Sequence, residues 1–209
     1  ESLLSKSRSL HQLPAGLTIR RLPKELRLTN SRAVPTSLYA HWSRDTCTST
    51  NAPWACATLA AGLGERGLRD LDASEGDESL RASALTAMRE GLHVYSTTMT
   101  QAAQSSNAWR SQTDRTRLLR NAVADAALAL QSTDIFNSRF SQQQSSDEAF
   151  ALRMSLFGYH LVGERPLADT LMELAIAFLV ARELVESRAA VGHPLAAVLA
   201  CGRGAQTKL

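Results

Sequence analysis

The run Ser43-Arg44-Asp45-Thr46-Cys47-Thr48-Ser49-Thr50 holds a cysteine in a polar segment with Arg44 and Asp45 beside it. A nearby cation lowers a thiol's pKa and makes it a nucleophile. Cys47 is therefore the candidate for covalent chemistry, and an inert surface thiol is the competing reading. Cys56 and Cys201 sit among Ala and Leu and read as core packing. An odd count of three with no C-x-x-C spacing argues against a disulfide scaffold or a zinc site and for a reducing compartment. The five histidines, 11, 41, 93, 160 and 193, form no H-E-x-x-H and have no ligand spacing, so no metal is expected. Gly62-Leu63-Gly64 lacks the spacing and the Lys-Ser/Thr of a phosphate loop, and no carboxylate pair stands out for acid–base work. No cofactor is expected.

Contact chemistry is easier to place than catalysis. Gly158-Tyr159-His160-Leu161-Val162-Gly163-Glu164-Arg165-Pro166 is a Gly-bounded corner with an aromatic, an imidazole and a guanidinium, the side chains that partner surfaces favour. Tyr159, His160, Leu161 and Arg165 are the first candidates for partner binding, and the loop around His193 with Leu195 is the second. A solvated or structural role is the plain alternative for each. Arg110, Arg115, Arg117 and Arg120 gather basic charge around Asp114. Nucleic-acid binding would need stacking partners beyond Trp109, so it is not expected.

The elements that must position these residues are helical. Apolar residues are 44% of 209 and aromatics 5%, with Ala and Leu dominant, which favours helices and suffices for a core. The longest nearly unbroken apolar run, Leu174 to Ala181, is far shorter than the roughly 20 residues of a membrane span. Residues 1 to 12 lack the apolar middle of a signal peptide, and a start at Glu1 rather than Met leads us to expect a piece of a longer protein.

Seven helices are expected after residue 45. Pro53 suits the first turn of an Ala-rich helix from Trp54 to about Leu63. Leu80, Ala84, Met88, Leu92, Tyr95 and Met99 make one stripe on a long helix from Asp77 to about Gln104. Leu119, Val123, Ala126 and Leu130 make another, capped by Thr113 or Asp114. A short helix beginning at Ser132 carries Ile135, Phe136 and Phe140. Ser145 with Glu148 is a capping-box pattern that opens a helix with Phe150, Met154, Phe157 and Leu161 inward and Gly163 as terminator. Leu167 to about Ser187 is the most apolar helix, with Leu171, Leu174, Phe178 and Val185 inward, closed by Gly192. The last runs from Pro194 to Cys201 and stops at Gly202.

Residues 1 to 44 differ. They carry eight Lys/Arg against two acidic residues, a net of +6, whereas the remainder carries fifteen against eighteen, a net of −3. Leu13-Pro14-Ala15-Gly16-Leu17, Leu22-Pro23-Lys24-Glu25-Leu26 and Val34-Pro35-Thr36-Ser37-Leu38 share the phrase apolar-Pro-x-x-Leu. Between the last two, Leu26-Arg27-Leu28-Thr29-Asn30 alternates like a strand with one buried face and ends on an Asn that can turn the chain. Strand, Asn turn and proline-containing return at a period in the twenties is the logic of a leucine-rich repeat, which cannot bury its apolar face alone. Residues 1–44 are thus either the end or cap of a leucine-rich repeat or an extended N-terminal arm, and 45–209 an all-helical domain.

The phrases of residues 13–38 resemble the short leucine-rich repeats of bacterial type III secreted effectors, which are written around Leu-Pro-x-x-Leu, an alternating strand and an Asn. In several such effectors the repeats precede an all-helical domain that ligates ubiquitin in the host cell. The resemblance implies an E3 ubiquitin ligase-type transferase domain of a virulence protein, secreted by the bacterium into the host cytoplasm; without it the expectation is a cytoplasmic protein. One helical ligase class of that family uses a Cys-x-Asp nucleophile. Here the cysteines read Cys47-Thr48-Ser49, Cys56-Ala57-Thr58 and Cys201-Gly202-Arg203, so none matches. The implied mechanism is therefore positioning of a charged ubiquitin-conjugating enzyme, with no thioester on this chain. The alternative is a non-enzymatic helical protein–protein interaction module.

Overall fold

The structure is a computed structural model, and it describes residues 23–30, 32–36, 51–65, 78–105, 114–157, 165–189 and 192–206. Two short strands, β1 (Glu25–Arg27) and β2 (Ala33–Pro35), precede seven helices among these residues. The helices are α1 (Ala52–Glu65), α2 (Glu78–Ser105), α3 (Asp114–Ala129), α4 (Thr133–Phe140), α5 (Ser146–Phe157), α6 (Leu167–Glu186) and α7 (Pro194–Gln206). Helix makes up 78% of the described residues, and the fold is an all-α bundle, as composition and periodicity imply.

α6 is the axis of the bundle. From Leu174 to Leu184 every residue is buried, so over this stretch the helix has no solvent face. α1, α2, α3, α4 and α7 all pack against it. The expected stripe on α2 is buried at Ala84, Met88, Leu92 and Met99, with Tyr95 half-buried. Gly91 of α2 leaves room for a side chain of α6, since a Cβ there would lie 2.9 Å from Ile176 Cδ1. An aromatic column ties three further elements together. Trp54 of α1 meets Phe140 edge-on at 5.6 Å, Phe140 stacks on Phe136 at 5.8 Å, and the Arg89 guanidinium lies 4.9 Å over the Phe136 ring. Asn51 caps the start of α1 through Trp54 N–H and also donates to the Phe140 carbonyl at 3.0 Å.

β1 takes up only Leu26 and Arg27 of the strand expected from Leu26 to Asn30; Leu28 and Asn30 lie in the bend that follows, and Leu26 and Leu28 are both buried. β1 pairs antiparallel with the segment immediately after it, Leu26 facing Val34. That is a local hairpin, a different arrangement from successive repeat strands laid side by side. Both leucines belong to the same core as the helices. The hairpin also completes α6. Pro166 occupies the N-cap and its side chain can accept no hydrogen bond, yet Ala168 N–H is satisfied by the Leu28 carbonyl at 3.0 Å.

Two helix ends and one helix terminator differ from the sequence expectation. α6 ends at Glu186, close to the expected Ser187, but the left-handed residue that terminates it is Arg188, with φ 51°, in place of Gly192. Ala189 N–H reaches the Leu184 carbonyl and Arg188 N–H reaches that of Val185, the paired bonds of a left-handed C-terminal cap. A residue with a Cβ is strained there, so Arg188→Gly should stabilise the protein by about 0.5–1 kcal/mol in chemical denaturation. α7 runs through Gly202 to Gln206, and α1 through Gly62 and Gly64 to Glu65. Glycine lowers helix propensity by only about 1 kcal/mol and terminates a helix only where a left-handed residue is needed.

Two inward assignments are also corrected. Val185 is 60% exposed because the last turn of α6 emerges from the core. Phe150 and Met154 point outward, because the opposite face of α5 is held by a buried ion pair. The Phe157 side chain, Leu161 and Gly163 lie outside the described residues.

Candidate functional site

Among the described residues a dense polar arrangement lies where α4, α5 and the end of α6 meet. The capping box read from the sequence is formed: Ser145 N–H donates to Glu148 Oε2 at 3.0 Å, and Glu148 N–H to Ser145 Oγ at 3.2 Å. The same carboxylate receives Arg182 from α6, Nε to Oε1 at 2.6 Å and Nη2 to Oε2 at 2.9 Å. The remaining nitrogen, Nη1, donates to the Arg139 carbonyl at the end of α4, at 2.7 Å. Arg139 in turn donates through Nε to Glu183 Oε2 at 2.7 Å. Glu148, Arg182 and Glu183 are all buried, at 7%, 6% and 7% exposure. A two-point guanidinium–carboxylate pair with its other groups bonded is the arrangement that makes buried charge tolerable.

This junction was missed by sequence reasoning, although a signal existed. Arg182-Glu183 interrupts the most apolar helix of the chain, and charges in an all-round buried helix must find partners. Its consequence appears on the other side of α5. With Glu148 and Leu152 buried, Phe150 and Met154 lie one turn apart on the outer face, 65% and 47% exposed, flanking exposed Arg153. An exposed aromatic–methionine pair beside an arginine has the composition of a contact surface.

Nucleophilic chemistry fares worse. Cys56 is completely buried, and desolvation pushes its thiol well above the ordinary range. Cys201 is half-buried and also raised by desolvation, with Arg120 only partly opposing this. Neither thiol is poised to ionise near neutral pH. Cys47 lies outside the described residues, as do Tyr159, His160 and Leu161. Arg165 is exposed at the foot of α6, where it pairs with Glu173 at 2.7 Å, a contact that raises its pKa. Leu195 is 7% exposed in the core, so its side chain packs internally rather than presenting a contact. Arg117 is exposed and Arg120 half-buried on α3. Among the described residues no group of three or more His, Cys, Asp or Glu is arranged to hold a metal ion, and no helix is long and apolar enough to cross a membrane.

With the geometry in place, the chain can be set beside known proteins. Comparison with protein-family models, curated proteins and solved structures found no match.

One buried group outside the junction is poorly served. Among the described residues the Tyr95 hydroxyl is buried with no hydrogen-bond partner, and its pKa is raised above its ordinary value of 10.0, first by desolvation and then by Cys201 and Glu173. Tyr95→Phe removes a desolvated hydroxyl and should be neutral to about 1 kcal/mol stabilising. The phenol is harder to ionise folded than unfolded, so its contribution is intact below the unfolded value and is lost as pH rises beyond it. The Phe variant should accordingly lose stability less steeply above about pH 10, measured by urea unfolding across that range.

Proposed function

We propose that this chain is a helical docking domain that acts by holding a protein partner, with no covalent chemistry of its own. The observation that carries this reading is the outward pair Phe150–Met154, displayed on a helix whose opposite face is locked into the core. Apolar side chains on a polar-rimmed helix face gain most when a partner covers them. The sequence candidates Tyr159, His160, Leu161 and Arg165 follow the same helix in the chain and are the next positions to test by substitution.

The narrower form of the reading comes from the likeness of residues 13–38 to secreted effectors: the partner is a charged ubiquitin-conjugating enzyme, and the domain promotes ubiquitin transfer in a host cell by positioning its thioester. The raised thiols of Cys56 and Cys201 favour positioning over a thioester on this chain. Incubation with ubiquitin, an activating enzyme and a panel of conjugating enzymes tests it. Chains should form with at least one conjugating enzyme, persist when Cys47, Cys56 and Cys201 are all Ser, and fall about tenfold or more in Phe150→Ala/Met154→Ala. Loss of chains with Cys47→Ser alone would make Cys47 a nucleophile and overturn the docking mechanism. An absence of chains with every conjugating enzyme would leave a non-enzymatic interaction module.

A further inference from the structure

α5 could face the core in two ways. At 100° per residue, Leu152 lies about 40° round from Glu148, whereas Phe150 and Met154 lie about 200° and 240° round. The helix thus carries an apolar group on each side. Set against Leu152 alone, Phe150 and Met154 offer more apolar surface, a pull toward the rotation that is not adopted. What distinguishes the two rotations is Glu148, which enters the core because Arg182 meets it with two hydrogen bonds and Ser145 with a third.

We infer that the Arg182–Glu148 pair is a rotation selector, which keeps α5 turned so that Phe150 and Met154 stay in solvent against their hydrophobic preference. Arg182 is fixed from behind by the Arg139 carbonyl, and Arg139 by Glu183, so the selector is anchored on both α4 and α6. Buried ionic groups have this use elsewhere, choosing one packing among several of similar stability. Removing both charges should release the helix to bury its aromatic face. The importance of an exposed pair rests on the docking reading, but the rotation is measured with no partner present, so the two can fail separately.

Methionine oxidation reads the rotation directly. Met154 is 47% exposed, while Met88 and Met99 are 0% and 4% exposed, so dilute peroxide followed by peptide mass spectrometry carries its own internal references. In the unaltered chain Met154 should oxidise at least tenfold faster than Met88; equal rates would overturn the inference without any variant. In Glu148→Leu/Arg182→Met the Met154 rate should fall about tenfold, the mark of a face buried nine-tenths of the time, while Met88 stays protected. A Met154 rate unchanged beside a protected Met88 would sink it. If Met88 also becomes reactive, the double variant has unfolded and Arg182→Lys decides, since it keeps the charge but loses the two-point contact. There a slower Met154 supports the selector, and an unchanged rate overturns it.

Discussion

Arg182→Ala is expected to lower stability by about 3–5 kcal/mol, the largest loss from any single polar substitution in this fold. The truncation removes two hydrogen bonds from Glu148 and one from the Arg139 carbonyl, all in a region where water cannot replace them. For a protein of this size that corresponds to a fall in Tm of roughly 6–20 °C, read by calorimetry or circular dichroism. The double replacement Glu148→Leu/Arg182→Met should lose far less, because it leaves no buried charge alone; apolar replacements of buried pairs are often close to neutral. The contrast is the diagnostic. If Arg182→Ala changed stability by less than about 1 kcal/mol, the pair would behave as a solvated surface contact and α5 would not be held by it.

Leu28→Ala should cost about 2–5 kcal/mol, comparable to Phe178→Ala at the centre of α6. Leu28 and Phe178 are both fully buried, and Leu28 also places the carbonyl that closes the first turn of α6. Urea unfolding of the two variants compares them on one scale. An arm merely lying against the bundle would lose under about 0.5 kcal/mol, as surface substitutions do. A full core-sized loss would mean that the foot of α6 depends on residues 23–36, and that a division of the chain near residue 44 does not separate two independent cores. It would also explain why Leu26 and Leu28 are apolar in the most basic part of the chain.

Among the described residues the number and order of helices were legible in the sequence, because each carries its own local signals. The α2 stripe at Ala84, Met88, Leu92 and Met99, the Ser145–Glu148 capping box and Pro53 in the first turn of α1 all depend on neighbours within a few positions. The alternation of Leu26 and Leu28 likewise marked two buried side chains, although only Leu26 lies in the strand. Periodicity failed at α5. Phe150 and Met154 have helical spacing, and spacing says that two residues share a face without saying which way that face turns.

That direction was decided across 34 residues of sequence, by Arg182 reaching Glu148. The same holds for the α6 cap, where a carbonyl at Leu28 serves an N–H at Ala168, and for Leu195, whose spacing allowed surface or core and whose neighbours chose the core. Local chemistry thus determined which segments coil and where most of them begin. Tertiary contacts determined which charges could be buried, and burial of Glu148 in turn determined which apolar side chains were left in water, because a desolvated carboxylate must be where its partner is, whereas an exposed phenylalanine is merely unfavourable.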